Sequence, residues 1–222
     1  MTPQQSTQVR VLVFHSSLRS GSVNDKLATL AAERIAAAGA VVDRATFKDF
    51  DCPSYDGDVE QEDGIPAGAR ALHDRLKGSD AFLIASPEYN GSMSGALKNV
   101  IDWTSRFRPQ PFNGVQGLLM SASPSMAGGN RGLWSLRVPL EHLGARIYPD
   151  MFSLAQANNA FGENGKLSND ILQRRFDETI RCFLDLVEAA KHYPRIKKQW
   201  VEFLGEHPSA ATDRVETATS AA

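Results

Sequence analysis

Two hydrophobic patterns alternate along the chain. "VRVLVFH" at residues 9 to 15 is almost continuously apolar and rich in β-branched side chains, which predicts a strand covered on both faces. After the polar stretch "HSSLRSGSVND", the run "NDKLATLAAERIAAAG" sets Leu27, Leu30, Ala31, Ile35 and Ala38 on one helical face, with Gly39 where a C-terminal cap belongs. The exchange of period recurs. Further strands are predicted at 40 to 47, 80 to 86 and 114 to 123, and within "ARIYPDMFSLA". Further helices are predicted in "GARALHDRLKGS" and "SGALKNVIDWTSRF", at 130 to 144 with an irregularity at Pro139, and at 168 to 192. Such alternation predicts an α/β fold, a parallel sheet with helices on both faces and right-handed crossovers.

Two regions break the pattern. Residues 48 to 67, "KDFDCPSYDGDVEQEDGIPA", are acidic, punctuated by proline and glycine and without period, which predicts a long loop of the kind that usually carries function. Past Tyr193, residues 194 to 206 read as a short helical extension and 207 to 222 as a disordered tail. Residues 1 to 8 form an N-terminal tail, leaving 9 to 193 as one domain.

Composition narrows the function. With 24 Lys and Arg against 26 Asp and Glu, the chain has no basic stripe for a phosphate backbone, so nucleic acid is excluded as a partner. No run approaches the roughly 18 apolar residues of a membrane span, and no signal segment opens the chain. The two cysteines, Cys52 and Cys182, lack metal-ligand spacing and point to a reducing, cytoplasmic setting.

In open parallel sheets, ligands gather at the carboxyl ends of the strands. The loop after the first strand offers the hydroxyls of Ser16, Ser17, Ser20 and Ser22, the amide of Asn24, the guanidinium of Arg19 and a flexible Gly21 at a helix N-terminus. Those groups suit a phosphate dianion, and they equally suit a solvated turn closed by an Ser22–Asp25 capping box. Neither G-x-G-x-x-G nor G-x-x-x-x-G-K-[ST] is present, which disfavours a dinucleotide fold and a P-loop. In the next ligand-side loop, Pro87 restricts one backbone angle while Gly91 and Gly95 relax others. His15 at a strand end is a structural residue more often than a base, and His73 and His142 fall in helical patterns. Cys52 is a bystander more often than a redox thiol, Trp103 shares the apolar face of Leu97 and Val100, and Ser17 and Ser123 lack a nucleophile-elbow context.

The segment "SPEYNGSMSGALKNVIDW" resembles the "PEYN" loop and "LKNAIDW" helix of the NADPH-dependent FMN reductase family, flavodoxin-like enzymes that include quinone, azo-dye and chromate reductases. The first loop is similar to that family's G-S-x-R-x-x-S-x-N at Ser17, Arg19, Ser22 and Asn24, with Ser16 in place of the leading glycine. "SASPSMAGGNRG" resembles its third loop. The resemblance, over roughly residues 9 to 190, implies a flavodoxin-like three-layer sandwich whose five-stranded parallel sheet has the order 2-1-3-4-5. It implies bound FMN, NADPH or NADH as cosubstrate, a small-molecule electron acceptor, and a homodimer or homotetramer. The implied cofactor-binding set is Ser17, Arg19, Ser22, Val23 and Asn24, then Pro87, Glu88, Tyr89, Asn90 and Gly91, then Ser121, Ser123, Gly128 and Gly129. Tyr89 would lie beside the ring, and for Glu88 two roles stay open, serving the ring or pairing with an arginine across a subunit contact. No side chain is expected to act as general acid or base. A flavodoxin-like carrier serving a protein partner is the rival, but carriers are usually strongly acidic and this chain has a formal charge of -2.

Overall fold

The computed structural model describes residues 8 to 192. In chain order its elements begin with β1 (Arg10–His15), α1 (Val23–Ala37), β2 (Val41–Arg44), α2 (Gly57–Asp63), α3 (Ala67–Lys77) and β3 (Ala81–Ala85). They continue with β4 (Glu88–Tyr89), β5 (Ser92–Met93), α4 (Gly95–Thr104), β6 (Gln116–Ala122), α5 (Asn130–His142), β7 (Arg146–Ile147), β8 (Phe152–Leu154) and α6 (Asp170–His192).

The main sheet is parallel throughout and runs β2-β1-β3-β6-β7, with β8 also paired to β6. β3 and β6 are buried along their whole length, which explains their unbroken apolar sequence. One side of the sheet packs Val11, Val13, Leu83 and Leu118 against Leu27 and Ile35 of α1 and Phe176 and Phe183 of α6. The other packs Leu12, Phe82 and Leu119 against Leu72 of α3, Val100 of α4 and Leu136 of α5. The result is the expected flavodoxin-like sandwich, with α1 and α6 on one face and α3, α4 and α5 on the other.

Three expectations change. The fifth strand position is filled by two segments. β7 pairs with Gln116 and Gly117 and β8 with Met120 to Ala122; Pro149 lies between them and has no N–H for the ladder. The segment expected at 40 to 47 leaves the sheet at Arg44, because Thr46 N–H donates to Asp49 Oδ2 at 3.0 Å and turns Phe47–Phe50 into a 3₁₀ helix. The region 48 to 67 is not a plain loop: it holds the end of that turn and all of α2. No residue of α2 is buried, so no apolar stripe announces it; the Asp56 side chain caps it instead. The helical extension at 194 to 206 and the tails at 1 to 7 and 207 to 222 lie outside the described residues.

Candidate active site

β1, β3 and β6 end side by side, so the loops after them meet at one rim. His15 pairs with Ala85, Ala85 pairs with Met120, and Ser121 pairs with Ser153. Continuation of that register sets Ser16, Ser86, Ser121 and Ser153 in one row across the carboxyl edge. Ser16 Oγ and Ser121 Oγ are buried with no hydrogen-bond partner among the described residues. An unsatisfied buried hydroxyl costs about 1–3 kcal/mol, and both lie in this row of serines at the carboxyl edge of the sheet.

The first loop leaves the sheet through Ser16, whose N–H donates to Ala85 O at 3.0 Å. Ser17 N–H donates to His15 Nδ1 at 3.4 Å, and Ser17 Oγ accepts from Arg19 N–H at 3.3 Å. Ser22 caps α1 by accepting from Asn24 N–H at 3.2 Å. The capping box with Asp25 does not form, since that carboxylate turns to Arg44 at 2.6 Å and His15 at 3.3 Å. Burial pushes the His15 pKa down, with Asp25 pulling the other way. The neutral ring accepting at Nδ1 therefore carries its proton on Nε2, toward Asp25. Arg19 is exposed, and among the described residues its guanidinium makes no hydrogen bond or ion pair with protein.

Asn24 has a different task from its loop neighbours. Its carboxamide donates to Ala122 O and accepts from Ala122 N–H, both at 2.9 Å, so it joins the first loop to the end of β6 as a strand residue would. Val23 opens α1 beside it.

The second loop follows the buried Pro87 and is a hairpin, β4 against β5. Asn90 (φ 53°) and Gly91 (φ 76°) make the two-residue left-handed turn for which Asn-Gly is the favoured sequence. Glu88 does not need a subunit contact to find its arginine: Oε1 accepts from Arg131 Nε at 3.0 Å and Oε2 from Gly132 N–H at 3.0 Å, within the same chain. A carboxylate thus occupies the N-terminus of α5, whose own cap residue Gly129 has no side chain. Gly132 lets the hairpin approach closely, since a Cβ there would stand 3.1 Å from Glu88 Cβ and the hairpin would have to give by a few tenths of an ångström. Ser135 Oγ accepts from Met93 N–H at 2.8 Å and staples the other hairpin strand to α5.

In the third loop Ser123 N–H donates to Leu154 O at 3.0 Å and Ser123 Oγ accepts from Ser125 N–H at 3.2 Å. Gly128 and Gly129 both have positive φ, and a Cβ on Gly129 would overlap Ser121 Oγ. Each loop also leaves one large apolar side chain in solvent: Leu18 is 60% exposed, Tyr89 50% and Met126 77%. A rim with hydroxyls and an unpaired guanidinium at one helix N-terminus, flanked by apolar tips, matches a ligand with an anionic end and a flat apolar body.

The long segment before α3 is tied down chiefly by two residues of α4, Asn99 and Trp103, the latter buried as its place on the apolar face implied. Asn99 accepts from Tyr55 N–H at 2.8 Å and donates to Pro53 O at 2.8 Å, and Trp103 Nε1 donates to the same carbonyl. Glu60 pairs with Arg106, whose hydrogen bonds, with those of Tyr55, hold its carboxyl below the usual range even though burial acts in the opposite direction. The Cys52 thiol is pushed up by burial, opposite to a reactive thiol. Arg44, Arg131 and Ser135 carry no local signal in the sequence; Asp25, Glu88 and Met93, which they meet in turn, lie 19 to 43 residues away. A cavity of about 380 Å³ lies elsewhere, between α4 and α5, lined by Ile101, Arg106, Val138, Pro139 and Leu143. It has none of the three loops in its wall.

Comparison with known proteins shows the family. The family described as NADPH-dependent FMN reductase matches residues 9–159, a span that contains all three loops. The chain is 39% identical over 142 residues to a quinone reductase of Escherichia coli (strain K12), covering 64% of this chain and 74% of that protein. It is 35% identical over 166 residues to the NAD(P)H-dependent FMN reductase PA1204 of Pseudomonas aeruginosa, covering 74% and 88%. Among solved structures, FerB from Paracoccus denitrificans, a flavoenzyme NAD(P)H:(acceptor) oxidoreductase, superposes with a TM-score of 0.70 at 25% identity, over 82% of this chain and 98% of that one.

Proposed function

The chain belongs to the NADPH-dependent FMN reductase family, and from that premise we propose that it is an FMN-dependent NAD(P)H oxidoreductase serving a small-molecule acceptor: a quinone, azo compound, metal oxyanion or free flavin. The observation that carries the reading is the first loop. There the hydroxyls of Ser17 and Ser22, the N-terminus of α1 at Val23 and Asn24, and the unpaired Arg19 supply donors for a phosphate without a second phosphate site or a lysine.

When bound, FMN supplies the redox chemistry, accepting hydride from NAD(P)H and delivering electrons to the acceptor in alternate half-reactions, so turnover is ping-pong. The residues of this chain bind and orient. Ser17, Arg19 and Ser22 hold the phosphate. Backbone N–H groups of Glu88, Tyr89, Asn90 and Gly91, in the hairpin that Pro87 opens, and of the loop from Ser121 through Ser123 to Gly128 and Gly129 would supply the donors where a reduced, anionic ring needs electrostatic stabilisation. Asn24 and the Glu88–Arg131 pair keep the three loops in register. No side chain acts as a general acid or base.

A homodimer or homotetramer is part of the reading. Trp134 and Val138, one turn apart on the outer face of α5, are 56% and 70% exposed beside the cavity between α4 and α5. With both cysteines free and no helix among the described residues long and apolar enough to cross a membrane, the cytoplasm is the proposed setting.

Absorbance of the purified protein in the flavin bands, followed by anaerobic bleaching with NADPH and recovery with a quinone, tests the whole proposal. Ser17→Ala and Arg19→Ala should each lower FMN retention with the fold intact. A colourless protein that FMN cannot restore refutes the proposal, and a yellow one that neither NADPH nor NADH bleaches refutes the enzyme in favour of a carrier.

A further inference from the structure

Asp25 stands in the first turn of α1, where its charge complements the helix dipole but opposes any anion bound at the same end. It does not stand alone. Asp25 Oδ1 accepts from Arg44 Nη2 at 2.6 Å and lies 3.3 Å from His15 Nε2. Arg44 is itself anchored, its Nη1 donating to Ala45 O at 2.6 Å and Val13 O at 3.3 Å. His15, 8% exposed at the end of β1, accepts the Ser17 N–H on its other nitrogen. A continuous set of contacts thus runs from edge strand β2 through the first turn of α1 into the first loop. His15, Asp25 and Arg44 all fall outside the S-x-R-x-x-S-x-N pattern, which ends at Asn24.

We propose that these three residues form a positioning relay for the FMN phosphate, in which Arg44 cancels the Asp25 carboxylate beside the bound anion and His15 holds the Ser17 peptide in the orientation the loop requires. The relay rests on the reading of this loop as the phosphate cradle. It makes Asp25 a built-in opponent of the cofactor's charge and Arg44 the residue that silences it.

Riboflavin carries the same ring without the phosphate, so apoprotein titrated with FMN and with riboflavin isolates the anionic end. Asp25→Asn should tighten FMN about three- to tenfold and leave riboflavin unchanged, a gain that damage to the fold cannot imitate. Arg44→Met should weaken FMN about tenfold, and adding Asp25→Asn to it should restore affinity to within about twofold of wild type. His15→Ala should weaken FMN about threefold, whereas His15→Asn, whose Oδ1 can accept the Ser17 N–H, should bind as wild type. Should Arg44→Met fail to fold by circular dichroism, the Asp25→Asn titration decides alone. Weaker FMN binding by Asp25→Asn, or changes of equal size with riboflavin, overturns the relay. Equal wild-type affinities for FMN and riboflavin overturn the phosphate cradle itself.

Discussion

Asn24→Ala removes the two bonds that tie the first loop to the end of β6. Both partners belong to Ala122, 2% exposed, whose N–H and C=O each meet the carboxamide at 2.9 Å. Truncation strands both backbone groups in a place with little access to water. Each orphaned group costs about 1–3 kcal/mol, and partial hydration of the space left behind puts the sum at about 2–4 kcal/mol. For a chain of this size that lowers the melting temperature by roughly 5–12 °C. Asn24→Asp should do no better, because a carboxylate can accept from the Ala122 N–H but sets its second oxygen against the Ala122 carbonyl. The assay is thermal unfolding of flavin-free protein, which separates architecture from ligand binding. A residue whose main task is to contact phosphate would leave the flavin-free melting point where it was and lower FMN affinity alone. A flavin-free Asn24→Ala that melts within about 1 °C of wild type refutes the clamp.

Gly129→Ala should cost several times the roughly 1 kcal/mol expected of Gly21→Ala by urea unfolding: both have positive φ, but only the added Cβ at Gly129 overlaps a neighbour, Ser121 Oγ. Stability should fall as pH drops below 6.5, the ordinary histidine value, because burial lowers the folded pKa of His15 and the unfolded chain then binds the proton first; the slope from this residue is at most about 1.4 kcal/mol per pH unit. Urea titrations at several pH values should show a shallower slope in His15→Asn, and an identical slope would remove His15 as the cause. Asn99→Ala should expose the segment around α2 to glutamate-specific cleavage at Glu60 or Glu62, on the order of tenfold faster than wild type, with a small change in global melting.

The strands that built the sheet were the easiest elements to read. β1, β3 and β6 are buried on both faces, so their sequences are near-continuous apolar runs, and the helices between them carry stripes of matching period. α2 escaped because it buries nothing: a seven-residue helix held by an Asp56 cap and an ion pair to Arg106 leaves no periodic trace. The hairpin at Asn90 and Gly91 did have a signal, the Asn-Gly dipeptide, but two-residue strands are too short to show alternation. The division of the fifth strand could be anticipated only at Pro149, since where the chain rejoins β6 is set by pairing and not by local preference.

The position of the ligand rim was legible because loop location follows from strand order, whereas the division of labour within the loops was not. Residues that look alike in a motif differ in what their atoms already hold. Asn24 is committed to a residue 98 positions away and Glu88 to one 44 away, and no local pattern encodes either partner. Arg19 is the opposite case, a cation in the same short stretch whose head makes no hydrogen bond or ion pair among the described residues. Accounting for the protein's own bonds therefore sorts the motif into residues that reach a ligand and residues that hold the loops which reach it. The two classes respond differently to substitution: loss of a ligand contact lowers affinity for FMN with no change in the flavin-free melt, while loss of a clamp lowers both. Arg44 belongs to a third class, because its loss acts on the anion by unmasking the charge of Asp25, so that removing that charge as well restores the affinity. A stability measurement and an FMN-versus-riboflavin comparison on the same variants distinguish all three, and the sequence motif alone distinguishes none of them.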